Sequence, residues 1–182
     1  ALYGNFKLRR VYYSAFSPIP DASVDLPLKP PPLLREHRLY QSDWLMRFYG
    51  FAHEEIIVPG SVGMLDLEVD PKLAWALAHR QHFPVNLNRA SKMWLLRVPG
   101  LGVRSVQRLL TARRVRLLRL ADLQQLRVAT SKVLPFVEMA DYHPQPATLE
   151  SPQLRQHLLA RMHTTTAQQS HSGMQLPARA QL

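Results

Sequence analysis

Asn88-Arg89-Ala90-Ser91-Lys92-Met93-Trp94-Leu95-Leu96-Arg97-Val98-Pro99-Gly100-Leu101-Gly102-Val103-Arg104-Ser105-Val106-Gln107-Arg108-Leu109-Leu110 is the stretch that decides the fold. Asn88 is suited to cap a helix from Arg89 to Leu96 or Arg97, with Met93 and Leu96 turned inward. Val98-Pro99-Gly100-Leu101-Gly102 then forces a tight reversal, because glycine takes the positive φ values that a short hairpin needs. Val106, Leu109 and Leu110 are spaced for one face of a second helix, from Val103 to about Ala112. A mainly α fold is expected, organised around this helix, hairpin and helix.

Such a turn suits a phosphate. Gly100 and Gly102 carry no side chains to hold a ligand off the backbone. The first amides of the second helix have no partner within the helix and lie at its positive dipole end. Arg104 and Ser105 sit in that first turn, where a guanidinium and a hydroxyl add charge-assisted bonds to phosphate oxygens. The candidate DNA-contacting residues are Pro99, Gly100, Leu101, Gly102, Val103, Arg104, Ser105 and Arg108. None reads a base edge, so binding is expected to follow DNA shape and salt rather than sequence. An ordinary helical hairpin with a Pro-Gly turn is the competing reading.

Charge placement favours nucleic acid over a small acidic substrate, with a solvated basic face as an equal alternative on charge alone. Residues 1–70 hold seven Lys/Arg against nine Asp/Glu, and residues 122–182 hold five against four. Between Asp70 and Asp122 there is no acid, while Lys72, Arg80, Arg89, Lys92, Arg97, Arg104, Arg108, Arg113, Arg114, Arg116 and Arg119 supply eleven positive charges. A one-sign field of about fifty residues repels itself unless a polyanion neutralises it. The absence of cysteine excludes disulfides, Cys-ligated zinc, iron-sulfur ligation and a thiol nucleophile from this chain. The sequence carries neither the apolar run of a membrane span nor a signal-peptide pattern at its start, so a cytoplasmic location and no membrane partner are expected.

Outward from the hairpin, five regions are expected: 1–17 with one strand, 18–32 a linker with six prolines, 33–82 a helical connector, 83–140 the hairpin unit, and 141–182 a largely disordered tail. Leu8 to Phe16 reads as a strand without a partner. Leu33, His37, Tyr40, Trp44 and Phe48 space a long amphipathic helix that Gly50 ends. His53 to Ile57 suits one further turn. Asp70-Pro71 opens a helix to about Arg80 that buries Leu73, Ala74 and Leu77. A degenerate second hairpin follows the first, with a short helix from Asp122 to Leu126 and another from Thr130 or Ser131 to Met139. Beyond a weak helix around Leu154 to Met162 the chain turns polar.

Four further groups are weighed. His79-x-x-His82 has a metal-holding spacing but no acidic neighbour, so no metal site is assigned. His53-Glu54-Glu55 is a solvated turn rather than an acid-base cluster. Trp44, Trp75 and Trp94 are assigned to core packing rather than to base stacking. Glu36 and Asp43 form a polar helix edge. No catalytic residue is assigned.

Asn88-Arg89-Ala90-Ser91 leading to Leu96-Arg97-Val98-Pro99-Gly100-Leu101-Gly102 resembles the helix-hairpin-helix family, by which repair and competence proteins hold the DNA backbone. The resemblance implies a monovalent cation under the hairpin, on the carbonyls of Leu96, Val98 and Leu101. Val106 stands where that family usually keeps an alanine. A wider series comprises Arg9-Arg10-Val11-Tyr12-Tyr13-Ser14-Ala15-Phe16, Pro31-Pro32-Leu33-Leu34-Arg35-Glu36-His37-Arg38-Leu39-Tyr40-Gln41, Asp43-Trp44-Leu45-Met46-Arg47-Phe48-Tyr49-Gly50-Phe51, Asp70-Pro71-Lys72-Leu73-Ala74-Trp75-Ala76-Leu77 and Phe83-Pro84-Val85. Over about residues 2–140 it resembles the C-terminal part of radical SAM proteins of DNA modification or repair, which are associated with a uracil-DNA-glycosylase-like partner. In that family an N-terminal barrel carries a three-cysteine motif for a 4Fe-4S cluster and S-adenosylmethionine. With no cysteine, this chain takes over none of those residues and is not expected to be an enzyme by itself. The strand before Phe16 then resembles a last barrel strand, and a start at Ala1 fits a fragment. The expected function is sequence-nonspecific DNA-backbone binding, and the alternative is a protein-interaction module that docks the glycosylase-like partner.

Overall fold

The computed structural model describes residues 11–160 except 15, 20–22, 24, 58–62, 127 and 129. It is mainly helical. In order come α1 (Leu33–Phe48), α2 (His53–Ile56), α3 (Pro71–Ala78), a 3₁₀ turn (Arg80–His82), β1 (Val85–Asn86), α4 (Lys92–Arg97), α5 (Val103–Ala112), α6 (Leu120–Gln125), α7 (Thr130–Val133), a second 3₁₀ turn (Leu134–Phe136), β2 (Val137–Glu138) and α8 (Pro146–Glu150). Residues 154–160 form a last helical segment, α9. Among the described residues no helix is long and apolar enough to cross a membrane.

Local signals set several boundaries. Asp70 caps α3 by accepting the Leu73 N–H at 3.0 Å, and Pro71 opens the first turn, where its missing N–H is harmless. Gly50, at φ +71°, follows α1. Asn88 does not cap α4. That task falls to Ser91, whose hydroxyl accepts the Trp94 N–H at 3.5 Å, so the helix starts three residues later than expected. Asn88 instead clamps Leu118: its amide accepts the Leu118 N–H at 2.7 Å and donates to the Leu118 carbonyl at 3.2 Å. A half-buried asparagine with two matching backbone groups in reach gains more from that exchange than from one helix amide.

The second half departs from a repeated hairpin. The helix expected to reach Met139 tightens to 3₁₀ geometry at Pro135 and then extends into β2, which pairs in parallel with β1 through Val85↔Val137 and Asn86↔Glu138. This ladder ties the segment before α4 to the segment after α7. The strand expected before Phe16 is not formed among described residues 11–14 and 16; its remainder lies outside the described residues. The backbone N–H and carbonyl of Tyr13 go to the Tyr40 hydroxyl, at 3.1 and 3.0 Å.

One buried cluster runs from Leu45 through Trp75, Leu95, Leu109, Leu123 and Phe136 to Leu158, joining the connector and the hairpin unit through shared packing. Residues 146–160 belong to it through Leu149, Leu154 and Leu158, so the expected tail is packed at least to residue 160. Arg155 fixes this end by ion pairs to Asp66 and Glu68, both at 2.5 Å, which hold its guanidinium charged more firmly than usual. The disorder expected beyond residue 163 lies outside the described residues.

Helix α1 turns over relative to expectation. Its buried residues are Arg38, Ser42, Asp43 and Leu45, while Leu33, His37, Trp44 and Phe48 face outward. Periodicity locates a stripe but not the neighbour that covers it. Here the inward polar side is hydrogen-bonded except at the Arg38 Nε: Arg38 donates to the Leu67 carbonyl at 2.9 Å and to Gln41 at 2.8 Å, and Ser42 donates to the Arg38 carbonyl at 2.9 Å.

Candidate nucleic-acid interface

Helices α4 and α5 pack against each other across the turn 98–102. Leu95 accepts the Val98 N–H at 3.3 Å, and Val98 accepts the Leu101 N–H at 3.2 Å, which folds the chain back in five residues. Pro99 and Leu101 are buried and anchor the turn, while Gly100 is exposed at φ +83°, a value that L side chains rarely adopt. Gly102 differs from expectation: its φ is −88° and its ψ 167°, ordinary extended backbone. Its small size matters for another reason, since a Cβ there would lie 3.7 Å from the Tyr49 hydroxyl.

Gly102 is the N-cap of α5 and supplies no side-chain hydrogen bond to the first-turn amides. Val103 and Arg104 are exposed beside it, and Ser105 is half-buried. Arg108 is exposed one helical turn after Arg104, on the same face of α5, and donates to the Leu126 carbonyl at 3.4 Å. Val106 is buried, with its N–H on the Gly102 carbonyl at 2.9 Å. The eight candidate residues thus form one contiguous turn and helix start, with Pro99 and Leu101 as buried supports.

Lys72, counted in the sequence only as one charge among eleven, proves to be part of the turn's support. It is 7% exposed, donates to the Leu101 carbonyl at 2.5 Å and stands 4.7 Å from the centroid of the Tyr49 ring. Burial pushes its amine down to about 7, opposed by the charge of Asp70. The signal was present in Pro-Lys-Leu-Ala-Trp-Ala-Leu-Ala: a lone lysine in the first turn of an otherwise apolar helix has few routes to solvent. Of the carbonyls on which the resemblance implies a monovalent cation, that of Leu101 accepts the Lys72 amine and that of Val98 accepts the Leu101 N–H.

The other cations divide by what they touch. Arg80 donates to the carbonyls of Leu77, Leu149 and Ser151, and Arg113 to those of Leu87 and Ala90. Arg116 pairs with Asp122 at 2.5 Å. Arg97 is buried, paired with Glu55 at 2.8 Å and set against the rings of Phe51, Trp75 and Trp94. Burial pushes Glu55 up, but the Ala52 N–H and the Arg97 guanidinium outweigh it and hold its carboxyl below the ordinary value. Arg89, Lys92, Arg104, Arg108, Arg114 and Arg119 are exposed, as is Arg116 beside its partner Asp122.

Glu55 is therefore an internal partner rather than part of a solvated turn, and Asp43 is buried rather than at an edge. Trp75 is in the core, Trp94 is half-buried against it, and Trp44 is 60% exposed. The rings of His79 and His82 stack 6.1 Å apart between Trp75 and Trp94 instead of converging on a point. Among the described residues no three His, Asp or Glu side chains gather to hold a metal ion. No protein-family model, no curated protein and no solved structure matches the chain.

Proposed function

We propose that the chain holds DNA by its phosphate backbone, with α4, the 98–102 turn and α5 acting as a helix-hairpin-helix. The observation that carries this reading is the turn itself. Gly100 at φ +83° brings an exposed chain reversal up to a helix start that has no side-chain cap, beside Arg104 and Arg108. The orphan amides and dipole of α5 attract a phosphate oxygen, and the two arginines on one face add charge. Every group is a donor aimed at backbone oxygens, so recognition is of charge and spacing, not of base sequence. In this reading Lys72 takes the place of the cation that helix-hairpin-helix proteins keep under the turn. The resemblance to radical SAM proteins of DNA modification or repair suggests a setting for such a grip: it would hold DNA for chemistry performed on residues that this chain does not contain, with a glycosylase-like protein as a further partner.

Salt titration tests the mechanism. The logarithm of the association constant should fall against the logarithm of salt concentration with a slope of about 0.9 per phosphate neutralised, and about three to five phosphates are expected. Unrelated duplexes of equal length should bind alike. A slope near zero, or strong preference between those duplexes, would overturn backbone binding.

A further inference from the structure

Where the outward side of α1 meets the 98–102 turn there is a cleft of about 450 Å³. Gln41, Trp44 and Tyr49 form one wall, Asp70 and Lys72 contribute from the start of α3, and Gly100 to Gly102 complete the lining. Its size falls within the range of pockets that enclose a small ring system, on the order of 300–1,000 Å³. Three features describe its occupant. Trp44 is 60% exposed and lies 5.4 Å from the Phe48 ring at 49°, so a large aromatic face is left to solvent beside the cleft. Gln41 has its Oε1 occupied by Arg38, which leaves its amide N–H groups for an acceptor such as a ring carbonyl. The third feature is continuity: the backbone of Gly100 to Gly102 is both a wall of this cleft and the proposed phosphate seat.

We infer that the cleft receives an unstacked nucleobase from the strand whose phosphate the turn holds, stacked on Trp44 and hydrogen-bonded by Gln41. The inference rests on the DNA-binding reading and extends it from any duplex to one with a nucleotide out of the stack. A paired base cannot reach the cleft without the cost of leaving its neighbours, whereas a bulged or mismatched nucleotide has largely met that cost. Stacking on an aromatic side chain is tolerant of base identity, which agrees with a site that has one ring face and one amide.

The test compares two labelled duplexes of equal length at equal salt, one fully paired and one with a single unpaired 2-aminopurine nucleotide, by fluorescence anisotropy with the full chain. The bulged duplex is expected to bind about tenfold more tightly, the order of one stacked base, and its 2-aminopurine emission to be quenched on binding. Trp44→Ala should bring the affinity ratio close to one and abolish the quenching, and Trp44→Phe should restore part of both. Arg104→Ala should weaken both duplexes while leaving the ratio in place. Equal wild-type affinities without quenching would overturn the base site while the response to Arg104→Ala still supports the phosphate seat. So would a Trp44→Ala variant that keeps the full ratio. Failure of wild type to bind either duplex at low salt would overturn the DNA-binding reading and the base site with it.

Discussion

Lys72→Met removes a buried amine and keeps a stem of similar length, and its effect can be worked out from the surroundings of the group. Lys72 donates to the Leu101 carbonyl and packs on Tyr49, and burial pushes it from the ordinary 10.5 down to about 7. Below pH 7 the folded and unfolded chains both hold the proton, and Lys72 adds no pH dependence. Between about 7 and 10.5 the unfolded chain binds a proton that the folded chain lacks, so stability rises with pH by about 1.4 kcal/mol per pH unit. From pH 7 to pH 9 the wild-type chain should gain about 2 kcal/mol from this group, once the half-titration at pH 7 is included. Urea denaturation followed by circular dichroism, at pH 6, 7, 8 and 9, gives the free energy for wild type and Lys72→Met under a two-state analysis. The difference between the two curves isolates Lys72 from every other titrating group. Parallel curves would refute the reasoning, because they would mean that the amine reaches solvent and does not sit desolvated under the turn.

Gly100→Ala should cost about 1–2 kcal/mol, because alanine at φ +83° is strained, whereas Gly102→Ala should change urea stability by less than about 0.5 kcal/mol, its Cβ meeting only the Tyr49 hydroxyl at 3.7 Å. Asn88→Ala strips the Leu118 N–H of its partner and leaves the Leu118 carbonyl only the Ala140 N–H at 3.4 Å, and should cost about 1–3 kcal/mol; an unchanged urea midpoint would show that the clamp is dispensable. Glu55→Ala leaves the buried Arg97 guanidinium unpaired and should cost about 3 kcal/mol at pH 7. Because Glu55 titrates below its ordinary 4.5, its contribution is present above that value and is lost as the pH falls through the lowered one, so wild type and variant should converge in stability in acid.

Asp70-Pro71, Gly50 and Gly100 each mark a boundary with residues that act on their own backbone, and α1, α3 and the α4–α5 pair lie close to where those signals place them. The departures come from partners far along the chain. Asn88 serves Leu118, thirty residues on, and β1 pairs with β2 across fifty-two; Arg155 reaches Asp66 across eighty-nine. A local pattern carries no trace of such pairings, and a lone asparagine before a helix reads as a cap. The charge pattern misled in a similar way. The sequence counts eleven cations between Asp70 and Asp122, but Lys72, Arg80, Arg97 and Arg113 are turned to carbonyls or carboxylates of the chain itself, which leaves seven exposed, and of these Arg116 is paired with Asp122 and Arg108 donates to the Leu126 carbonyl. Those seven set a ceiling for phosphate neutralisation by this segment, and Arg104 and Arg108 share a helix face beside the turn. A measured slope for three to five phosphates would therefore require cations beyond those two, drawn from Arg89, Lys92, Arg114 and Arg119. The basic field is then a partly internal framework with a smaller outward surface, and it is that surface, rather than the net charge, that the salt dependence measures.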